Sequence, residues 1–103
     1  MYADAIEKTE TLLVPSLSLF EIFKKVYKEN VEDFALKVVA HMQLGKVIQL
    51  DSSIAIYAAK LSVEKSIPMV KSIIYATARL HKAMLWTQDN DFIGLSGVKF
   101  FEN

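Results

Sequence analysis

The apolar residues form two kinds of pattern, short unbroken runs and longer stretches with the three- and four-residue spacing of one helical face. The clearest helical stretch follows Pro68, where the spacing continues at Val70, Ile73, Ile74, Thr77 and Leu80. An apolar run of strand length follows at residues 83–87 and ends at Gln88-Asp89-Asn90-Asp91, where turn-forming residues replace hydrophobic ones. The pattern predicts a helix leading into a buried strand with two carboxylates at its carboxyl end.

The rest of the chain continues this alternation of strands and helices. Short apolar runs predict strands at residues 12–14, 46–50 and 98–101. Helical spacing predicts helices at residues 15–29, from Val31 to near Gly45 and from Asp51 onward, with Gly45 as a C-cap and Asp51 as an N-cap. Residues 2–11 have helical character and are interpreted as the end of a helix. Regular alternation predicts an α/β fold whose parallel sheet has helices on both faces and right-handed crossovers.

Asp89 and Asp91 allow two interpretations. Ligands of open parallel sheets bind beyond the carboxyl ends of the strands, and Mg²⁺ prefers carboxylate oxygens there, so the pair is a candidate metal site. The alternative is structural, because Asp and Asn also build turns and cap the segments that follow them. The short Asp-x-Asp spacing alone leaves both interpretations open.

Glu21 lies in the predicted helix at residues 15–29 and also allows two interpretations. Ser18-Leu19-Phe20-Glu21 fits the Ser-x-x-Glu capping box, in which the glutamate accepts from a backbone N–H at the helix start. A functional role for the carboxylate is the alternative. The spacing on this helix further predicts that its core-facing residues are Phe20, Phe23, Val26 and Tyr27.

Length and composition bound the protein class. With 103 residues, of which 52% are hydrophobic, the chain is predicted to form a single domain over residues 1–103 with one core. No apolar run approaches the ~18 residues of a membrane span, and the first residues lack the pattern of a signal peptide. We therefore expect a cytoplasmic protein without a membrane partner.

Charge and metal-binding residue types exclude several classes of site. The chain has no cysteine and only two histidines, His41 and His81, which argues against disulfides and zinc clusters. Twelve basic and twelve acidic residues give zero formal charge, so no global field would hold nucleic acid. DNA sequence recognition is not expected, and RNA binding would have to be local. Candidate RNA contacts are Lys24, Lys25 and Arg79, although a solvated surface is the usual role of such residues.

Four segments taken together resemble one known family. They are residues 12–21 (LLVPSLSLFE), 67–78 (IPMVKSIIYATA), 85–92 (LWTQDNDF) and 94–101 (GLSGVKFF). In this order they resemble the PIN domain, and within it the VapC-like branch of toxin–antitoxin ribonucleases. The resemblance runs nearly from end to end of the chain.

The resemblance implies a chemistry and a set of site residues. Members of the family use a few carboxylates to hold Mg²⁺ or Mn²⁺ for hydrolysis of RNA, and they pair with an antitoxin protein and form homodimers. Matched to the family's motifs, Glu21, Asp89 and Asp91 are the implied catalytic and metal-binding acids. If the metal site is lost, no cofactor is expected.

The chain departs from the family pattern at two of the expected acids. The family begins with a central strand ending in an aspartate, which has no counterpart here, so the predicted three-layer PIN-like fold lacks its first strand and is partial at the N-terminus. A gap at that position would expose backbone groups, so we expect a rearranged sheet, an intimate dimer or residues outside this chain to fill it. The other departure is Lys71, which stands where the family has an acid.

Lys71 leads to a specific hypothesis. Converging carboxylates repel one another, so a nearby ammonium can neutralise Glu21, Asp89 and Asp91 without metal and oppose Mg²⁺ binding. The alternative is a solvated lysine at the helix start. We therefore expect a degenerate PIN domain with little or no metal-dependent ribonuclease activity. The alternatives are an active ribonuclease toxin completed by residues outside this chain and an antitoxin-binding or dimerisation module using residues 34–42.

Overall fold

The protein folds into four α-helices and five strands within the described part of the chain. The computed structural model describes residues 5–8 and 11–100. The strands are β1 (Ala5–Lys8), β2 (Thr11–Pro15), β3 (Lys46–Ile48), β4 (Met84–Thr87) and β5 (Val98–Phe100). The α-helices are α1 (Ser16–Glu29), α2 (Glu32–Met42), α3 (Ser52–Lys65) and α4 (Met69–Leu80), and a short 3₁₀ turn spans Asn90–Phe92. None of these helices has both the length and the apolar character that crossing a bilayer requires.

The five strands form one mixed sheet in the order β3-β2-β1-β4-β5. β2 and β3 are parallel, as are β4 and β5, but β1 runs antiparallel to both of its neighbours. The α/β class is confirmed, whereas the prediction of a wholly parallel sheet is wrong because β1 is reversed. A rearranged sheet, one of the three expected possibilities, therefore fills the central position.

β1 also corrects the helical interpretation of the N-terminal region. Residues 5–8 form a strand and Thr11 begins the next one, while residues 2–4, 9 and 10 lie outside the described residues. Ile6 pairs with Leu13 on one side and Leu85 on the other, and it is fully buried. These pairings outweigh the weak helical character of a four-residue segment, because burial and cross-strand packing dominate over local propensity.

The main core lies on one face of the sheet, under α3 and α4. Ile6, Leu13 and Leu85 project from the three central strands into this core. From the helices and the 3₁₀ turn, buried residues that complete it include Ile54, Ala58, Leu61, Ile74, Ala76 and Phe92. α4 supplies the most extensive wall, since every residue from Ser72 to Ala78 is buried.

The opposite face of the sheet, which we call the open face, is less completely covered. Side chains alternate between the two faces of a strand, so Leu12, Val14, Met84 and Trp86 project away from the main core. α1 and α2 pack on each other through a small separate cluster of Ile22, Val26 and Ala35. Met84 and Leu12 consequently keep substantial exposure, 36% and 52%.

α1 is rotated relative to the core face predicted from its sequence. Its buried residues are Ser18, Ile22 and Val26, whereas Phe20 is 57% exposed and Tyr27 is 50% exposed. The prediction of a core role for Phe20 and Tyr27 is therefore wrong. Apolar residues occupy more than one side of this helix, and its packing against α2 selects the side with Ile22 and Val26.

The predicted N-cap at Asp51 is confirmed, because its Oδ1 accepts from the backbone N–H of Ile54 at 2.9 Å. We expect Asp51→Ala to lower the free energy of unfolding by about 1 kcal/mol, since an N–H at the start of α3 loses its acceptor. Asp51→Asn keeps an acceptor and should change stability by only a few tenths of a kcal/mol. Urea unfolding followed by circular dichroism measures both, and an equal loss in the two variants would contradict a capping role.

Candidate active site

The acid pair lies directly beyond the carboxyl end of β4. The backbone N–H of Asp89 donates to Oγ1 of the buried Thr87 at 2.9 Å, and Asp89 Oδ1 accepts from the backbone N–H of Asp91 at 2.9 Å. Asp89 thereby caps the 3₁₀ turn that ends at the buried Phe92. The structural interpretation of Asp89 as a turn and cap residue is confirmed, and this arrangement fixes both carboxylates at one edge of the sheet.

Lys71 bridges the two carboxylates. Its Nζ lies 2.6 Å from Asp89 Oδ2 and 2.7 Å from Asp91 Oδ2, so one ammonium binds both acids. The interpretation of Lys71 as a solvated lysine is therefore wrong. α4 lies with its first turn beside the carboxyl end of β4, which brings the lysine from the helix start to the turn after the strand.

The electrostatics of this bridge favour the charged forms of its members. A cation in the first turn of a helix is opposed by the helix dipole, and the two carboxylates supply the compensating negative charge. Hydrogen bonds to Asp89 and then to Asp91 raise the pKa of Lys71 well above its usual range, despite partial burial. Burial acts to raise the pKa of Asp89, but the hydrogen bond from Lys71, the Asp91 N–H and the lysine charge together lower it.

Glu21 lies on α1, half-buried in a groove between this helix and the start of α4. The groove has a volume of about 420 Å³, and its lining includes Lys24, Lys25, Lys28 and Val70, the neighbour of Lys71. The capping-box prediction for Glu21 is wrong, because α1 begins at Ser16 and its N-cap, Pro15, makes no side-chain capping bond. Glu21 is therefore in the second turn, one turn too far along to accept from the helix start.

The described residues do not assemble the donor set that Mg²⁺ or Mn²⁺ would need. Within residues 5–8 and 11–100, no three His, Cys, Asp or Glu side chains lie close enough together to hold a metal ion. Asp89 and Asp91 lie close together, and the Lys71 ammonium lies between their Oδ2 atoms. This arrangement suits the Lys71 ammonium, a cation supplied by the chain itself, better than it suits a divalent metal ion. The catalytic and metal-binding roles of Glu21, Asp89 and Asp91 stay predictions.

The candidate RNA contacts lie in two separate places. Lys24 and Lys25 are exposed on α1 and line the groove that contains Glu21. Arg79 is two turns after Lys71 on α4, about 12 Å farther along the helix axis. Its side chain packs against Gly97, where the absence of a Cβ leaves room for the guanidinium. Arg79 is thus at the opposite end of α4 from the acid pair.

Two further features of the described residues are not among those predicted from the sequence. The first is Thr87, whose hydroxyl orients the turn that carries Asp89; a Thr-x-Asp spacing at a strand end is the signal that points to it. The second is a cavity of about 890 Å³ between α2 and the first two strands. Its walls come from distant parts of the chain, so no local spacing could predict it.

The chain matches one family model, and its fold resembles a solved structure. The model described as PIN domain matches residues 2–97. A solved structure described as a toxin-antitoxin complex from Klebsiella pneumoniae has a TM-score of 0.71 and 25% sequence identity. The similarity covers 84% of this chain and 71% of that one. No curated protein sequence matches the chain.

Proposed function

This chain belongs to the PIN-domain family, and we propose that it is a VapC-like member in which Lys71 has replaced the catalytic metal. In this proposal the protein keeps little or no metal-dependent ribonuclease activity. Its role is to bind a partner, for which an antitoxin protein is the first candidate. The toxin-antitoxin description of its structural neighbour supports that choice of partner.

The observation that carries the proposal is the position of the Lys71 ammonium. Its Nζ contacts both Asp89 and Asp91 at hydrogen-bond distance, so it uses the carboxylate oxygens that a cation would need. When bound in such a site, Mg²⁺ or Mn²⁺ would supply a Lewis acid and an activated water. A divalent ion would meet repulsion of about 4 kcal/mol per unit charge from an ammonium 4 Å away, at an effective dielectric of about 20.

A ribonuclease assay on the complete chain tests the loss of catalysis. RNA cleavage is measured with Mn²⁺ or Mg²⁺ and with chelator, on the unaltered protein, on Lys71→Asp and on Glu21→Gln, which exposes contaminating nuclease. We expect no metal-dependent cleavage by the unaltered protein, because the acid pair already holds a cation. Metal-dependent cleavage that disappears in Glu21→Gln would contradict this expectation and support the alternative, an active ribonuclease completed by residues outside this chain.

Metal affinity tests the lysine directly. Lys71→Asp replaces the ammonium by a third carboxylate, and we expect Mn²⁺ to bind it at least roughly tenfold more tightly than the unaltered protein, a difference of about 1.4 kcal/mol. Lys60→Asp is the matched control, since it makes the same charge change at an exposed side chain of α3. Isothermal titration with MnCl₂ measures the three proteins. Equal affinity in all of them would rule out the counter-ion role.

Protein binding and dimer formation belong to the same proposal. α2 has a single buried residue, Ala35, while Phe34 and Leu36 remain exposed along it. Exposed apolar helix faces of this kind support an interaction role for residues 34–42, either with an antitoxin protein or with a second copy of the chain. RNA binding through Lys24 and Lys25 is a weaker candidate, because Glu21 and Glu29 share the same groove.

A further inference from the structure

The segment between β4 and β5, residues 88–97, is held by one side of α4, and we call this segment the β4–β5 connection. Lys71, Tyr75 and Arg79 follow one another at intervals of four residues, so they lie along the same side of the helix. Lys71 binds the two acids near the start of the connection, and Arg79 packs against Gly97 at its end. Tyr75 contacts the connection between these two points.

Tyr75 contacts the β4–β5 connection through both its hydroxyl and its ring. The hydroxyl donates to the backbone carbonyl of Ser96 at 2.7 Å, and the ring centroid lies 6.1 Å from that of Phe92. Tyr75 is 4% exposed and Phe92 is fully buried. A buried tyrosine hydroxyl needs a hydrogen-bond partner, and here the partner is a carbonyl of the connection. The side chain therefore holds the connection in addition to filling space in the core.

Phe92 joins this contact to the acid pair. Its backbone N–H donates to the carbonyl of Asp89 at 3.2 Å, and it directly follows Asp91 in the 3₁₀ turn. A shift of the Phe92 ring would therefore move the backbone that carries both carboxylates. Hydrogen bonds weaken steeply with misalignment, so the ammonium of Lys71 can bind both acids only while their carboxylates converge.

We propose that Tyr75 is a positioning residue for the acid pair: through Phe92 and the carbonyl of Ser96 it keeps the two carboxylates converged on one cation. This inference rests on the proposed role of Lys71 as the cation of the site, and it adds the residue that keeps the carboxylates at the spacing which a cation requires. Phenylalanine has nearly the same shape as tyrosine, so the hydroxyl is the group whose removal tests this role. The alternative is a tyrosine that stabilises the core without affecting the acids.

Heteronuclear NMR of the lysine ammonium groups, on the complete chain, tests the proposal. Charge-assisted hydrogen bonds to two carboxylates should slow the exchange of the Lys71 ammonium protons with water. In Tyr75→Phe we expect this exchange to be roughly fivefold faster, the equivalent of one hydrogen bond of about 1 kcal/mol. Tyr57→Phe is the matched control, since it makes the same chemical change at a partly buried tyrosine of α3, and it should leave the exchange unaltered. An unchanged rate in Tyr75→Phe, or an equal rise in both variants, would overturn the proposal.

A double-mutant cycle separates positioning from a merely structural role. Urea denaturation gives the free energy of unfolding of the unaltered protein, Tyr75→Phe, Lys71→Met and the double variant. If Tyr75 acts through the acid pair, removing its hydroxyl should cost less in the Lys71→Met background, because the position of the carboxylates then no longer favours a bound ammonium. Losses that simply add would assign Tyr75 a structural role and contradict the proposal.

Metal affinity keeps this inference apart from the function on which it rests. Isothermal titration with MnCl₂ compares Lys71→Asp with the double variant Lys71→Asp/Tyr75→Phe. We expect the double variant to bind Mn²⁺ roughly fivefold more weakly, because the carboxylates lose part of their support, and equal affinity would count against positioning. If Lys71→Asp binds Mn²⁺ no more tightly than the unaltered protein, the counter-ion role fails, while the ammonium exchange and the double-mutant cycle still decide the role of Tyr75.

Discussion

Ile6→Ala is expected to lower the free energy of unfolding by about 3 kcal/mol, a large fraction of the ~5 to 15 kcal/mol that stabilises a typical domain. Ile6 is fully buried in the central strand and pairs with Leu13 and Leu85 in the two strands beside it. Truncating its side chain leaves a cavity in the main core between the sheet and the helices α3 and α4, which the surrounding side chains can fill only in part. Urea denaturation followed by circular dichroism measures the loss.

Ile56→Ala is the matched control for this variant. It removes the same atoms from a side chain that is 71% exposed on α3, and a change within about 0.5 kcal/mol is expected. Similar small losses in the two variants would mean that β1 does not hold the centre of the sheet in solution. The comparison therefore tests the reversed strand, the feature that most distinguishes this sheet from the expected one.

Asp89→Ala is expected to cost about 2 kcal/mol of folding free energy at neutral pH. The substitution removes a charge-assisted hydrogen bond with Lys71 and the acceptor that caps the 3₁₀ turn, each of them worth about 1 kcal/mol at a partly exposed site. Asp91→Ala loses one bond to Lys71 but no cap, so about half that loss is expected. Thermal and urea unfolding of the two variants measure the difference, and a larger loss in Asp91→Ala would contradict this assignment of roles.

The same ion pair predicts a pH dependence with a definite sign. The pKa of Asp89 is lowered in the folded protein, so its contribution is complete above the unfolded value of ~3.9 and is lost as the pH falls through the folded pKa. The pKa of Lys71 is raised, so its contribution is complete below ~10.4 and is lost only as the pH rises through the folded pKa. Stability from this pair should therefore be constant between about pH 5 and pH 9.

Asp89→Asn tests that sign, since the amide keeps an acceptor for the cap but cannot ionise. The stability difference between the unaltered protein and this variant should shrink as the pH is lowered from about 5 to about 2. Urea unfolding at a series of pH values gives the difference directly. A difference that stayed constant or grew toward low pH would show that the carboxylate charge does not stabilise the fold.

The elements that the sequence predicts well are those whose pattern is local. α4 and β4 lie where the spacing after Pro68 and the apolar run at residues 83–87 predict them, because α4 is buried over most of its length and β4 buries Leu85 and Thr87. Asp51 could be identified as a cap from its position just before a helical pattern. The ion pair of Lys71 with Asp89 and Asp91 was also foreseeable, because the family resemblance aligns the lysine with an acid of the expected site.

The predictions that fail depend on partners distant in sequence. Residues 5–8 become a strand because β2 and β4 supply pairing edges on both sides, which a four-residue pattern does not reveal. The spacing predicts a core position for Phe20 because α1 has apolar residues on several sides, and only packing against α2 selects among them. The capping box at Ser18 and Glu21 fails because β2 runs into Pro15, so that the helix begins earlier than the motif requires.

The direction of β1 also determines where the chain loses conformational entropy as the sheet assembles. β1 and β2 are neighbours in sequence and pair antiparallel, so joining them closes only a short loop. Pairing β1 with β4 instead joins residues near opposite ends of the domain, across all four α-helices. Closure entropy grows only slowly with loop length, so this pairing, the longest in range among the described strands, costs little more than a shorter one. It nevertheless makes the largest contribution of any strand pair to the contact order of the sheet. The two halves of the sheet thus meet at the line where Ile6 contacts Leu85.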